Sequence, residues 1–176
     1  MKSYFKYHTA NSVTGLGLLL STFAVIHVLL DRVVWVAILV VVICAFLDGL
    51  DGWVARRMNA ASPLGRFLDA GHDMIAFGIV PVLVIVRTFD STPRMLIAVL
   101  GFYVCAMAFR LIRALRRNTP EIFYGLPAPL AGLAVTLGCG LIIRNHEPLC
   151  MGSLLLVIFF MIVPLKITRP WLTSQS

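Results

Sequence analysis

Charged side chains are scarce in this chain, and acidic ones are scarcer still. Only 13% of its 176 residues are charged and 8 are acidic, whereas 60% are hydrophobic and the mean hydropathy is +0.93. This composition lies far outside the range of soluble domains. A bilayer core of about 30 Å needs roughly 20 apolar residues per helix, so the chain has room for about six spans. We therefore expect one membrane domain over residues 1–176 and no soluble module.

Cysteines at metal-ligand or redox spacing are absent as well. The 4 cysteines lie far apart inside apolar stretches with no CxxC, which predicts small core residues. They are Cys44, Cys105, Cys139 and Cys150. No small-x-small cleavage site precedes the polar Asp31-Arg32 break, so we expect the first apolar stretch to be a retained helix. Internal repeats and low-complexity segments are also lacking.

Apolar runs separated by short polar breaks predict an all-α, polytopic membrane fold with six transmembrane helices. The breaks contain Pro, Asn and Ser, which commonly begin or end helices. The first ten residues, MKSYFKYHTA, mix Lys with Tyr and Phe, as a short interfacial helix on the headgroups would. A frayed terminus is the alternative for this stretch. The predicted spans are 12–30, 33–57, 62–88, 93–117, 126–144 and 148–166.

The net charge of +7 follows a topological pattern and does not point to nucleic acid. The basic residues lie in small groups at the ends of apolar runs. Of the 15 Lys and Arg side chains, eleven fall on one side of the predicted helices and four on the other. An excess of positive charge marks the cytoplasmic side, so both termini are predicted to lie in the cytoplasm.

Half of the acidic residues lie in one stretch, FLDGLDGWVARRMNAASPLGRFLDAGHD, residues 46–73. Asp48 and Asp51 are three apart in the second predicted helix, and Asp69 and Asp73 are four apart in the third. At about 100° per residue, each pair shares one face of its helix. A tight turn around residues 59–63 would make the two helices antiparallel neighbours. Four carboxylates are thus predicted to meet on the cytoplasmic side.

Such a cluster needs a bound cation, because ionised groups near hydrocarbon are costly and repel one another. Oxygen ligands favour Mg²⁺, Mn²⁺ or Ca²⁺, and no His or Cys is placed to favour zinc. Two ions can share this many carboxylates and clamp a phosphoryl group.

Small residues accompany the aspartates. Gly52 and Ala55 leave the helix surface beside Asp51 bare, so that a flat base or a phosphate could enter. Gly65 thins the facing helix, and Arg56 lies one turn from Gly52, where it could hold a phosphate. Close packing of two membrane helices is the alternative explanation for the small residues.

Together these residues resemble the signature of the CDP-alcohol phosphatidyltransferase family at every fixed position. The matching pattern is Asp48-x2-Asp51-Gly52-x2-Ala55-Arg56-x8-Gly65-x3-Asp69-x3-Asp73. The resemblance implies a six-helix membrane enzyme, often a homodimer, that transfers a phosphatidyl group from a CDP-linked lipid to an alcohol and releases CMP. It implies two Mg²⁺ or Mn²⁺ ions, with Asp73 also acting as general base. The implied metal ligands are Asp48, Asp51, Asp69 and Asp73. The implied CDP-binding residues are Gly52, Ala55, Arg56 and Gly65.

Three further stretches resemble phosphatidylserine synthases of the small bacterial and archaeal type. This implies CDP-diacylglycerol and L-serine as substrates, in the inner membrane of a prokaryote with the site facing the cytoplasm. Arg110 and Arg113 share a helix face one to two turns inside a span, which suits a ligand phosphate or the serine carboxylate. Snorkelling to the surface is the alternative. The stretches are MIAFGIVP (74–81), CAMAFRLIR (105–113) and FYGLPAPLAG (123–132).

The chain departs from those synthases between its last two aspartates. They usually carry a Ser-Leu-Ala-like triplet there, and this chain has Ala70-Gly71-His72. His72 is close enough to the carboxylates to bind the acceptor or tune a proton, and a helix-contact histidine is the alternative. A further departure is Ala114-Leu115, where those synthases often have Phe-Asn.

Two other functions stay open. The first keeps the chemistry and changes the acceptor to glycerol 3-phosphate, inositol phosphate or another small alcohol. The second, from a different class, is a divalent-cation or proton transporter. A transporter should spread polar residues through the bilayer midplane, whereas these acids gather near one face, which favours catalysis at the surface.

Overall fold

The computed structural model is a bundle of helices. It describes residues 2–31, 34–58, 63–89, 92–116, 123–124, 126–142, 146–163 and 166–167. Side chains are described in 14–30, 34–50, 65–89, 92–116, 126–140 and 146–163. The α-helices of this part of the chain are α1 (Lys2–Asp31), α2 (Val34–Met58), α3 (Pro63–Asp73), α4 (Val80–Thr88), α5 (Arg94–Leu115), α6 (Ala128–Leu137) and α7 (Glu147–Ile162). Two π-helices are π1 (Met74–Ile79) and π2 (Gly138–Ile142), and two short strands are β1 (Phe123–Tyr124) and β2 (Lys166–Ile167).

The helices coincide with the six predicted apolar spans, and the all-α class is confirmed. The third predicted span is α3, π1 and α4 in succession, so residues 63–88 form one long helix with a wide turn in its middle. The fifth is α6 followed by π2. Residues 2–10 are the first turns of α1, continuous with the rest of it. Their location on the headgroups stays a prediction.

Two helical segments are long and apolar enough to cross a membrane. They are Gly65–Thr88 and Arg94–Leu115, with mean hydropathies of 1.7 and 2.2. Shorter apolar helices occupy Thr14–Leu30, Val34–Leu50, Ala128–Gly140 and Glu147–Ile162. Large apolar side chains point outward from the bundle, as in a helix that is hydrophobic on all sides. More than half of the surface of Leu19, Trp35 and Phe102 is exposed.

The long helix over residues 63–88 lies at the centre of the bundle, in contact with α1, α2, α5 and α6. Its residues Phe77, Val80 and Val84 are fully buried in the core. Helix α6 approaches it closely at Gly132, where a Cβ atom would lie 2.6 Å from Cβ and 2.8 Å from Cα of Phe77. Small residues allow this kind of backbone approach between membrane helices.

A two-residue antiparallel ladder joins β1 to β2, with Phe123 opposite Ile167 and Tyr124 opposite Lys166. The sequence analysis did not predict it, because two residues carry no apolar periodicity. Nearby, the backbone N–H of Leu126 donates to the carbonyl of Phe160 at 3.0 Å. These bonds connect the segment before α6 to the end of α7.

Replacing Gly132 by Ala should destabilise the protein, because the added methyl group would overlap the backbone of Phe77. Overpacking of this kind costs about 1 to 3 kcal/mol. We expect a lower midpoint of thermal unfolding for the detergent-solubilised protein. Gly101→Ala is the matched control, since no atom of another described helix lies within 4 Å of the position that its Cβ would take and the residue is exposed on α5. Equal midpoints for the two variants would contradict the close approach of α6.

Candidate active site

Three aspartates converge at one end of α2 and α3. One carboxylate oxygen from each of Asp48, Asp69 and Asp73 lies within 4.8 Å of those from the other two. Asp69 and Asp73 are four residues apart on α3 and therefore share a face of it. Asp73 is buried, and the other two are half-buried. The structure thus brings together three of the four predicted metal ligands.

The spacing and chemistry of this carboxylate cluster fit a hard divalent cation. Two ligand atoms of one ion lie at most twice the metal–ligand distance apart, which is about 4 to 5 Å for Mg²⁺ and Ca²⁺. All of the donor atoms in the cluster are oxygens, as these ions prefer.

For most of the other residues of the predicted signature, the structure describes the backbone but not the side chain. Asp51, Gly52, Ala55 and Arg56 belong to α2, but their side chains lie outside the described residues. Gly65 lies on α3, one turn before Asp69, and is half-buried. The roles predicted for these residues in binding CDP stay predictions.

The helix widens directly after Asp73. Residues Met74–Ile79 form π1, and the N–H of Val80 bonds to the carbonyl of Ile75 five residues earlier. Pro81 explains the change, because its ring would clash with the carbonyl of Phe77 in a regular α-helix and it has no N–H to donate. The buried Tyr103 of α5 supplies a donor in its place. Its hydroxyl donates to the carbonyl of Phe77 at 2.5 Å.

Arg110, two turns after Tyr103 on α5, faces the carboxylate cluster. The charges of Asp73 and Asp48 act on its guanidinium group, with Asp73 the stronger influence. Its Nε and Nη1 atoms are buried without a hydrogen-bond partner among the described residues. Because buried donors are nearly always paired in folded proteins, these two atoms suit an anionic group of a ligand. Arg113, one turn further along α5, is half-buried.

His72 is buried away from the cluster, although it precedes Asp73 in the chain. The structure places its ring against the backbone of Gly17 on α1 and edge-on to Phe77, with a centroid distance of 5.9 Å. The ring is not a member of the group of ligand atoms formed by the three aspartates. This position corresponds to the helix-contact alternative for His72.

A sequence model of one family covers nearly the whole chain. The model of the CDP-alcohol phosphatidyltransferase family matches residues 7–172. The chain belongs to this family. Its three clustered aspartates are the first, third and fourth of the four in the family signature described above.

Several relatives carry the name CDP-diacylglycerol--serine O-phosphatidyltransferase. The one from Bacillus subtilis is 30% identical over 114 residues, 64% of this chain and 64% of the relative. The one from Methanocaldococcus jannaschii is 32% identical over 133 residues, 75% of this chain and 57% of the relative. The one from Mycobacterium leprae is 37% identical over 111 residues, 56% of this chain and 36% of the relative. The chain therefore spans less than two thirds of the length of these relatives.

The sequence analysis missed Tyr103 and the wide turn in the central helix. Pro81 was the available signal, since a proline inside a long helical pattern predicts an irregularity near the preceding turn. Nothing in the apolar pattern identifies Tyr103 as the compensating donor, because α5 is separate in sequence from π1.

Removing the Tyr103 hydroxyl should destabilise the segment that follows Asp73. Tyr103→Phe leaves the carbonyl of Phe77 without this donor, and a lost buried hydrogen bond costs about 1 to 3 kcal/mol. Thermal unfolding in detergent measures the effect. The control is Thr136→Val, which removes a 2.7 Å bond to the carbonyl of Gly132 inside the regular turns of α6. If the unfolding midpoint of Tyr103→Phe falls no further than that of this control, the role assigned to Tyr103 is contradicted.

Proposed function

We propose that the protein transfers the phosphatidyl group of CDP-diacylglycerol to the hydroxyl of L-serine and releases CMP. The observation that carries the proposal is the carboxylate cluster beside the half-buried Arg110, in a chain of this family. The substrates are those named for its relatives.

Mg²⁺ or Mn²⁺ is the cofactor of this proposal, with two ions in the site. Asp48, Asp69 and Asp73 hold them, together with Asp51 as the fourth ligand of the family pattern. A bound divalent cation would offset the charge that develops on the phosphate oxygens and on the departing CMP.

The reaction forms one phosphorus–oxygen bond and breaks another. The serine hydroxyl oxygen bonds to the phosphorus on the lipid side of the pyrophosphate, and the bond from that phosphorus to CMP breaks. Asp73 accepts the hydroxyl proton as general base, a contribution typically worth about 10² to 10⁴ in rate. The cytidine diphosphate portion occupies the surface left open by Gly52, Ala55 and Gly65, with Arg56 on a phosphate.

Arg110 and Arg113 bind the acceptor in this proposal. Two buried donors of Arg110, which have no partner in the described part of the chain, can bind the serine carboxylate, as guanidinium groups commonly do. The influence of Asp73 on Arg110 indicates that an acceptor held there would have its hydroxyl near the general base. A phosphorylated acceptor such as glycerol 3-phosphate or inositol phosphate is the second candidate, because Arg113 follows on α5 and the exposed Arg116 lies directly after that helix.

The proposal extends to the membrane architecture. The chain forms one domain with six transmembrane helices, and residues 1–10 lie on the headgroups. The site faces the cytoplasm in the inner membrane of a prokaryote, and two copies form a homodimer. The six apolar helical segments support the number of spans, and the charge distribution of the sequence supports their orientation.

An activity assay tests the function directly. Purified protein is incubated with CDP-diacylglycerol, Mg²⁺ or Mn²⁺, and L-serine, glycerol 3-phosphate, inositol phosphate or another small alcohol, and the CMP and lipid products are measured. We expect phosphatidylserine with serine, and loss of CMP release when EDTA removes the metal. If no alcohol leads to release of CMP, the proposed transferase activity is refuted. If a lipid product forms with glycerol 3-phosphate but not with serine, the proposal that serine is the acceptor is refuted.

Asp73→Asn separates proton transfer from substrate binding. We expect kcat to fall by at least about 100-fold, because the amide cannot accept the hydroxyl proton, while CDP-diacylglycerol still binds. Binding is measured by equilibrium filtration with labelled substrate. Glu147→Gln at the start of α7 is the control and should keep its activity. Retained turnover in Asp73→Asn would show that another group accepts the proton.

A further inference from the structure

Helices α1, α2 and α3 meet at Gly17. The thiol of Cys44 on α2 donates to the carbonyl of Gly17 at 3.9 Å. From the other side, the ring of His72 on α3 covers the Cα of Gly17. A Cβ atom at position 17 would lie 2.9 Å from Cε1, 3.1 Å from Nε2 and 3.2 Å from Nδ1 of that ring. The imidazole therefore fills the space that any larger residue at position 17 would need.

The ring of His72 is buried between α1, α2 and π1. Only 1% of the residue is exposed, and Phe77 contacts it edge-on at an interplanar angle of 71°. The backbone carbonyls of Gly17 and Cys44 lie beside the ring, although neither ring nitrogen has a hydrogen-bond partner among the residues that the structure describes. A buried side chain this confined has no free volume into which it could move, because protein interiors are close-packed.

His72 and the carboxylate cluster occupy neighbouring faces of the same helix. At about 100° per residue, the direction of His72 is roughly 60° from that of Asp69 and about 100° from that of Asp73. A change in how the ring sits on α1 therefore rotates both aspartates about the axis of α3. Asp48 would not follow, because it belongs to α2.

We propose that Gly17 and His72 are a matched pair that sets the rotation of α3, and that His72 is thereby a positioning residue for the carboxylate cluster. The glycine admits the ring, and the ring seats α3 against α1 so that Asp69 and Asp73 meet Asp48. The inference rests on the proposed function only in taking the cluster as a metal site. It assigns His72 no contact with substrate.

A double-mutant cycle tests the pair in the full-length, detergent-solubilised protein. The variants are Gly17→Ala, His72→Ala and the double variant, and two controls are Gly15→Ala on α1 and Gly71→Ala on α3. At either control position, a Cβ would have no atom of another helix within 4 Å in the part of the chain that the structure describes. Two quantities are measured for each protein: the affinity for Mn²⁺, from the loss of the free-ion electron paramagnetic resonance signal, and the midpoint of thermal unfolding without metal.

We expect Gly17→Ala to weaken Mn²⁺ binding by at least tenfold and to lower the unfolding midpoint. The double variant should recover most of the Mn²⁺ affinity, because removing the ring makes room for the new methyl group. His72→Ala alone should weaken Mn²⁺ binding by a smaller factor, and both controls should match the wild type. If Gly17→Ala does not fold, a folded double variant with restored Mn²⁺ binding gives the same support.

Two results would overturn the pairing. In the first, the double variant binds Mn²⁺ no better than Gly17→Ala. In the second, unfolding midpoints fall while Mn²⁺ affinity stays at the wild-type value, which would make the contact purely structural. Failure of the proposed function looks different, since wild-type protein would then bind Mn²⁺ and respond to the cycle as expected but release no CMP with any alcohol.

Discussion

Repulsion among three carboxylates is the constraint around which one end of this bundle is organised. Two ionised carboxylates at 4.8 Å repel by on the order of 3 to 4 kcal/mol at an effective dielectric constant of about 20. A helical bundle gains nothing in packing by bringing Asp48, Asp69 and Asp73 together, so compensating positive charge must accompany them. Arg110 contributes part of it from α5. A divalent cation would contribute more, which connects the cluster to the phosphoryl chemistry of the family.

The central helix carries both the site and the core, and its wide turn connects the two. Asp73 ends α3, and π1 begins with the next residue. The turn is held from two directions: Tyr103 donates to the carbonyl of Phe77, and Gly132 lets α6 pack against the same residue. Because Tyr103 and Arg110 are seven residues apart, they lie on one face of α5. One face of α5 therefore supports the wide turn through Tyr103 and places the guanidinium group of Arg110 beside the carboxylates.

Local spacing was enough to predict the helices and the meeting of Asp48 with Asp69 and Asp73, because periods of three and four residues determine which side chains share a face. The wide turn was harder to predict from the sequence. Pro81 signals an irregularity, but Tyr103, which stabilises the turn, belongs to another helix. A helix contact was one alternative for His72, but Gly17 could not be predicted as its partner. Their contact depends on how α1 packs against α3, and neither residue has a pattern that identifies the other. The same holds for the ladder between β1 and β2.

The proximity of Arg110 to Asp73 restricts the acceptor under the proposed function. Arg110 offers two buried donors to an anionic group, and Asp73 must receive the proton of the attacking hydroxyl. An acceptor that engages both residues carries its anion and its attacking hydroxyl close together. In L-serine two carbon atoms separate the hydroxyl-bearing carbon from the carboxylate oxygens, whereas a phosphate on an inositol ring can lie much further from the attacking hydroxyl. A larger acceptor would therefore place its phosphate beyond Arg110, toward Arg113 and the exposed Arg116. The relative contributions of these three arginines to acceptor binding thus distinguish serine from a phosphorylated acceptor.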